Sequence, residues 1–470
     1  MSIAVEGTDI RLVNLETRFP FEFGIATMTR VPHCFVSLEV AIDGEQVNGL
    51  AADHFPPRWL TKDPDLPLTE EAKMILEVVK RACDHAADID GRTVFDCWSQ
   101  IHQAQREWAA ETSYPPLLWN FGVTFIERAL IDAYCRATGQ TFGESVRQNS
   151  LGIRPGAIYP ELEGAEIEAA LPSAPERSIA VRHTVGHGDP LREAADEPDD
   201  DLPRTLAENI ETYGLDRFKV KVAGEPAPDA ERVREVLEVL EADCDGYGFT
   251  LDANEQYEAV DQLAAFLDRA ESVPGFTENL LFIEQPFPRD VALTADIGRN
   301  LESIADRYQI VIDESDGELD SFGRALDLGY DGTSHKNCKG VIKGVVNAML
   351  ADRHRESGES VLLTGEDLTT IGPVSLQQDL AAMATLGIEH VERNGHHYFR
   401  GLEGFPSDVQ ESVLAAHGDL YRELPDGTAA LQIENGQLDV ESVLEAPFGY
   451  AGAVDIRQFS SPAQWSFEPS

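Results

Sequence analysis

The chain has 470 residues, with 84 aspartates and glutamates against 37 lysines and arginines, a formal charge of −47. That length is enough for two or three domains with a sizeable core, and 42% hydrophobic with 26% charged residues is a globular balance, which excludes wholesale disorder. The acidity excludes an unassisted nucleic-acid binder, because phosphates would be repelled, and it disfavours docking on anionic membranes.

The cations are unevenly chosen. Eight are lysines (Lys62, Lys73, Lys80, Lys219, Lys221, Lys336, Lys339 and Lys343) and the other 29 are arginines. An acid excess spread over the whole chain with so few lysines predicts a halophilic surface, since at molar salt the Debye length falls to about 3 Å and self-repulsion becomes tolerable. The densest acidic run, Glu193 to Asp201, predicts a solvated internal loop. Six cysteines form no CxxC pair, so reduced core thiols are expected rather than disulfides. The N-terminus has no basic segment leading into an apolar stretch, and no apolar run approaches the roughly 20 residues of a membrane helix. A soluble cytoplasmic protein is expected.

In chain order, residues 1–50 alternate as strands, with Asp43-Gly44 turning FVSLEVAI into EQVNGLA. Three helical patterns follow: 69–88, with Thr69, Glu70 and Glu71 read as a capped acidic first turn; about 94–110; and 124–139, closed by Gly139. The stretch 151–178 reads as a junction. Beyond it, eight short apolar strands alternate with amphipathic stretches: 179–185, 217–222, 247–253, 280–286, 308–314, 332–336, 361–365 and 388–394. That cadence predicts an α/β fold, a (β/α)8 barrel preceded by an α+β capping domain. An open doubly wound sheet competes, but no GxGxxG turn follows an early strand. The domains are expected at 1–178, 179–403 and 404–470, the last reading as strands and turns.

The polar residues that close the strands carry the chemistry. They run Lys219-Val220-Lys221, Asp252-Ala253-Asn254, Glu284-Gln285-Pro286, Asp313-Glu314-Ser315 and His335-Lys336. A barrel enzyme builds its site at these ends. Three carboxylates on successive strands, Asp252, Glu284 and Asp313, make an oxygen site suited to a hard cation such as Mg²⁺. Any one of them alone would read as a helix cap or a surface ion. Lys221 and Lys336 fall on strands 2 and 6, on opposite sides of that site, and burial beside other cations is expected to lower a lysine toward base strength. Five of the eight lysines lie in 219–221 and 336–343, which suggests a proton-transfer need that arginine cannot meet.

The series KVK, LDAN, IEQP, IDES, HKNCKG resembles the enolase superfamily, in its mandelate racemase/muconate-lactonising-enzyme branch. The resemblance covers about 179–400 most closely and the first part through its hairpin and the ERALIDAYCRATGQ helix. It implies a capping domain completed by the C-terminal tail. It also implies Mg²⁺, with Mn²⁺ as a substitute, on Asp252, Glu284 and Asp313. Lys221 and Lys336 would be the acid/base pair on the α-carbon of a small carboxylate substrate, with Lys219, Asn254 and Glu366 as substrate contacts. The implied chemistry is removal of the proton α to a carboxylate, ending in racemisation or epimerisation, cycloisomerisation or elimination; a homo-oligomer is expected. A catalytically silent homologue that binds or scaffolds is the reading from another class.

Three departures bear on substrate. One glycine, Gly340, follows Lys339 where the family shows two. Strand 7 ends Thr364-Gly365-Glu366-Asp367 without histidine. Strand 8 ends Glu392-Arg393-Asn394 without an Asp-x-Asp pair. Lys339 and Lys343 are expected to be solvated on the following helix, His183 and His187 to lie in an ordinary loop, and His396-His397 to be a packing or surface pair. Phe19–Phe23 and Asp53–Trp59 read equally as cap core or as substrate contacts.

Overall fold

The structure is a computed structural model and describes residues 1–87, 89–194 and 200–469. Asp88, at the end of the first expected helix, and the middle of the acidic run, 195–199, lie outside the described residues.

The cap begins with three long antiparallel strands, β1 (Ile3–Phe23), β2 (Ala26–Ile42) and β3 (Glu45–His54), in sheet order β3-β2-β1-β4 with the short β4 (Asp90–Gly91). Asp43 and Gly44 both take positive φ, 49° and 85°, the backbone a tight two-residue hairpin turn demands. Three helices cover one face: α1 (Leu68–Ala86), α2 (Val94–Ala109) and α3 (Pro116–Thr138). Every residue of α3 from Leu117 to Cys135 is buried, because sheet, α1 and α2 pack around it. It starts eight residues before the expected position and ends at Gly139 in the left-handed region, φ 70°. Thr69 does not cap α1. The helix starts at Leu68, so its hydroxyl already lies inside the first turn, and Glu71 instead accepts from Arg58 N at 2.9 Å and Thr61 Oγ1 at 2.6 Å.

The barrel strands are β5 (Ser178–Val185), β6 (Arg217–Lys221), β7 (Gly248–Asp252), β8 (Leu280–Glu284), β9 (Ile310–Ile312), β10 (Gly332–His335), β11 (Leu362–Gly365) and β12 (His390–Glu392). All neighbours run parallel and β12 pairs with β5 to close the ring. The tail is more helical than expected. Helix Ser407–Ala416, with Val409 and Val413 buried one turn apart, precedes the hairpin β13 (Tyr421–Glu423)–β14 (Ala429–Leu431) and β15 (Gln437–Asp439), which adds antiparallel to the start of β5. Its last residues lie on the cap sheet: Leu12 and Ser460 exchange backbone hydrogen bonds, Phe459 stacks on Phe35 at 5.1 Å, and Trp465 Nε1 donates to Asn14 Oδ1 at 2.9 Å. All six cysteines are free, five of them buried. No helix among the described residues is long and apolar enough to cross a membrane.

Where cap meets barrel, each side buries its own ion pairs. Arg128 of α3, fully buried, pairs with Asp53 at 3.0 Å; Arg393 pairs with Asp367 at 2.7 Å and lies 3.6 Å from Asp379. Glu127 accepts the backbone N–H groups of Val341 and Ile342 at 3.0 and 2.8 Å, capping the positive end of the barrel helix Val341–Glu356. Burial pushes Asp379 up to about 7 against the pull of Arg393, with the charge of Asp53 adding to the rise.

Two outcomes follow from this packing. A Cβ at Gly49 would stand 1.9 Å from the Ala129 carbonyl oxygen of α3, so Gly49→Ala should lower unfolding free energy by about 2 kcal/mol or more in denaturant titration; a loss under about 0.5 kcal/mol would contradict the close approach. Because folded Asp379 holds its proton more tightly than the unfolded chain does, stability contributed below about pH 4 is lost as pH rises through about 7. Asp379→Asn should make that fall shallower, measured in molar KCl to screen the surface charge; an unchanged slope would contradict the assignment.

Candidate active site

Strand register sets the site. Lys221 pairs with Asp252 and Asp252 with Glu284 across β6, β7 and β8, while Asp313 follows β9, Lys336 follows β10, Glu366 follows β11 and Glu392 ends β12. All of these side chains are buried at one end of the barrel. β6 and β10 stand four strands apart in a ring of eight, so Lys221 and Lys336 face each other across it.

Carboxylates outnumber the space water could fill, and ammonium groups occupy that space. Lys219 Nζ, with no exposure, contacts four carboxylates: Asp252 at 2.9 Å, Glu284 at 2.8 Å, Glu366 at 2.5 Å and Glu392 at 2.8 Å. Lys221 Nζ lies 2.5 Å from Asp252 Oδ2, and Lys336 Nζ 2.7 Å from Asp313 Oδ2. Arg182, midway along β5, pairs with Glu366, and Thr184 Oγ1 donates to Glu392 at 2.6 Å. Neither Arg182 nor Glu392 was assigned to the site from sequence, although an arginine inside an otherwise apolar strand demands a buried acid.

At Lys219 and Lys336 the expected lowering is reversed. Burial pulls Lys219 and Lys336 down, but the surrounding carboxylates, Asp252 and Glu284 for the first and Asp313 above all for the second, outweigh it and hold both above the ordinary lysine value. Lys336 and Lys339 hold Asp313 far below the usual carboxylate range in spite of its burial. Lys339 and Lys343 are not solvated. Lys339 Nζ donates to Asp313 Oδ1 at 3.0 Å, and Lys343 Nζ donates to the Asp316 backbone carbonyl at 2.5 Å and forms an ion pair with Asp316 Oδ1 at 2.8 Å, because the loop after β9 turns both acids inward.

A pocket with about 400 Å³ of empty space, part of it open to solvent, sits between this end of the barrel and the cap. Phe21, Phe23 and Met28 from the β1–β2 hairpin, with Pro56 and Trp59 after β3, form its cap wall; Lys221, Lys336, Asn254, Asp367, Glu392 and Asn394 are on the barrel side. Lys336 Nζ lies 4.6 Å from the Trp59 ring centre. Lys219 and Glu366 are fully buried and do not line this pocket; Asn254 does. The cap is held in place by Arg289, which grips Glu255 and donates to Trp59 O at 2.9 Å, and by Lys62, which donates to Asn254 O. Gly24, φ +50°, brings the hairpin tip so close to Asn254 that a Cβ would stand 3.2 Å from the Asn254 Cβ.

The histidines lie to one side. His183 Nδ1 is 3.1 Å from His396 Nε2 and His397 packs edge-on to Phe19, all three buried, while His187 is half-buried in the loop after β5. Asp200, at the end of the acidic run, is engaged by Arg18 rather than solvated.

Among the described residues, no three His, Cys, Asp or Glu side chains stand gathered as a ready metal cluster, since the carboxylates close on ammonium groups. The donor set nevertheless fits a hard divalent cation. Asp252, Glu284 and Asp313 are adjacent enough that, after burial, the other two charges push Glu284 up, and Glu284 Oε2 accepts no hydrogen bond and is balanced by its ion pair with Lys219.

Residues 201–355 match the family described as Enolase C-terminal domain-like. No curated protein matches the chain. Among solved structures, muconate lactonizing enzyme from Pseudomonas fluorescens, complexed with muconolactone, is 16% identical and matches over 97% of this chain and 98% of its own, TM-score 0.62. A mandelate racemase/muconate lactonizing protein from Herpetosiphon aurantiacus is 17% identical over 96% of this chain and 99% of its own, TM-score 0.58. A dipeptide epimerase from Enterococcus faecalis V583, complexed with Mg and L-Leu-L-Tyr, is 15% identical over 96% and 99%, TM-score 0.56. A capped, closed barrel shared along nearly the whole length shows that the chain has the fold of these proteins, and its central strands are similar to the Enolase C-terminal domain-like family.

Proposed function

We propose that this protein is an isomerase or lyase that removes the proton α to the carboxylate of a small acid, with Lys221 and Lys336 as the acid/base pair. Asp252, Glu284 and Asp313 would hold Mg²⁺. The observation that carries this reading is the pair of lysines from strands four apart, both on the wall of one pocket and each seated on one of those three acids. A solved relative of the same fold that contains Mg together with a dipeptide supports the choice of metal.

The bound cation would supply Lewis-acid stabilisation of the negative charge that develops on the substrate carboxylate as its α-proton leaves. The chain's own residues do the rest. Two amines on opposite walls can address both faces of one α-carbon, as inversion or anti-elimination requires. Lys336 stands charged while Asp313 faces it, so it is a proton donor as arranged, and that pair must open before Lys336 can accept a proton. Phe21, Phe23 and Trp59 exclude water from the carbanionic centre. Lys219 balances Asp252, Glu284, Glu366 and Glu392 from beneath the pocket, so its role is to position those acids rather than to touch substrate.

The test is deuterium wash-in at the α-carbon of a panel of carboxylic acids, in D₂O with Mg²⁺ and molar KCl. Lys221→Ala and Lys336→Ala should each slow exchange by roughly 10²–10⁴-fold, and chelation should abolish it until Mg²⁺ is restored. Exchange indifferent to both substitutions, or surviving chelation, would contradict the reading.

A further inference from the structure

A second pocket lies behind the catalytic one. It holds about 340 Å³ of empty space, part of it open to solvent, and shares no lining residue with the first. The segments after β11 and β12 run between them: Thr369 and Asn394 line the catalytic side, Ile371 and His396 this one. Tyr213, at the end of the helix Leu206–Tyr213, lines it too, as do Tyr421 and Leu431 of the tail hairpin β13–β14. Thr369 and Val374 take φ of 58° and 76°, costly for β-branched residues, so the stretch between them that carries Ile371 is held in place by its surroundings.

Among the described residues that line this pocket, none is Asp, Glu, Lys or Arg. Its unmatched polar group is an imidazole. His396 is buried, its Nε2 lies 3.1 Å from His183 Nδ1, and its Nδ1 has no hydrogen-bond partner. Burial disfavours the charged form of both rings, pushing His183 down to about 3 and His396 well below the usual histidine value. Two neutral imidazoles joined by one hydrogen bond leave His396 Nδ1 an acceptor or a donor, according to which ring donates. Tyr213 meets the His396 ring edge-on at 5.3 Å, and the Tyr421 hydroxyl accepts from Gln377 Nε2 at 3.3 Å, so the imidazole is left as the open polar end.

We propose that this pocket is a second ligand site, taking a neutral molecule of one aromatic ring with a single hydroxyl, of the phenol class. The site lies outside the catalytic pocket and does not depend on the proton-abstraction reading. A hydroxyl both donates and accepts, so it satisfies His396 Nδ1 in either tautomer, where an unmatched buried nitrogen is costly. The ring sheds its hydration against Ile371, Leu431 and the tyrosines, and a cavity of roughly 150 Å³ is enough for one such ring. A charged ligand would lose its water with no counter-charge on the walls.

Dissociation constants for phenol and benzene test this, read by ligand-observed NMR on the full chain at neutral pH. Phenol should bind about fivefold tighter than benzene, the share of one hydrogen bond. Ala430→Leu, which adds bulk to the pocket wall, should weaken phenol at least about tenfold. Phe23→Ala, in the catalytic pocket, should leave it unchanged. His396→Phe keeps a ring and removes its nitrogens, so phenol and benzene should then bind within about twofold of each other. Phenol that does not bind, that binds no better than benzene, that keeps its preference in His396→Phe, or that is lost in Phe23→Ala and kept in Ala430→Leu would overturn the proposal. Should a pocket variant fail to fold, a phenol-soaked crystal of the native chain decides: a ring against His396 supports the site, and a ring only against Trp59, or none, overturns it.

Discussion

A carboxylate buried away from water is tolerable only opposite a cation, and the barrel end is arranged around that constraint. Asp252, Glu284, Asp313, Glu366 and Glu392 converge where eight strand ends meet, too close together for each to be hydrated. Lys219 answers four of them at once from below, Arg182 a fifth contact at Glu366, and Lys221, Lys336 and Lys339 the two outer acids. The functional reading follows from the same balance. On the proposed reading, acids held together at such electrostatic cost would be a prepared seat for a divalent cation, and two of the lysines that neutralise them, Lys221 and Lys336, would exchange protons with a substrate.

The cap makes this end of the barrel a pocket rather than an open rim. Its aromatic hairpin reaches Asn254 only because Gly24 permits the approach, and the segment through Trp59 is clamped by Arg289 and Lys62 onto Glu255 and Asn254. Farther out, Glu127 and Arg128 tie the central cap helix to the helix that follows Lys336 and to Asp53. The apolar wall and the charged wall therefore come from different parts of the chain.

The barrel is legible in the sequence because fully buried parallel strands give short apolar runs, and five of the eight runs close on polar residues that together point to a site. The lysine count sharpened this: Lys73 and Lys80 are on the exposed face of α1, whereas the other six touch the barrel end or the clamp beside it. Lys339 and Lys343 are buried rather than solvated, and helical spacing says nothing about Asp313 and Asp316 turning inward beneath them. The basicity of Lys336 was misjudged for a related reason, as strand ends reveal neighbouring cations but not which carboxylate lies at 2.7 Å. Glu392 was noticed as a departure from a motif rather than as a wall of the pocket, and Arg182 passed as one residue in an apolar strand. The apolar side of the pocket was legible only as an even choice, Phe19–Phe23 and Asp53–Trp59 reading as cap core or as substrate contacts, because Phe23, Trp59 and Asn394 are brought together only by the closure of cap on barrel.

The central claim is that the three strand-end acids form the seat of a divalent cation with a lysine on either side. Anomalous diffraction from crystals grown with Mn²⁺ tests it most directly. The account predicts a single strong peak in direct contact with oxygens of Asp252, Glu284 and Asp313, with Lys221 and Lys336 turned from those acids toward the pocket. A peak elsewhere, or these acids still closed on their lysines with no metal between them, would contradict it.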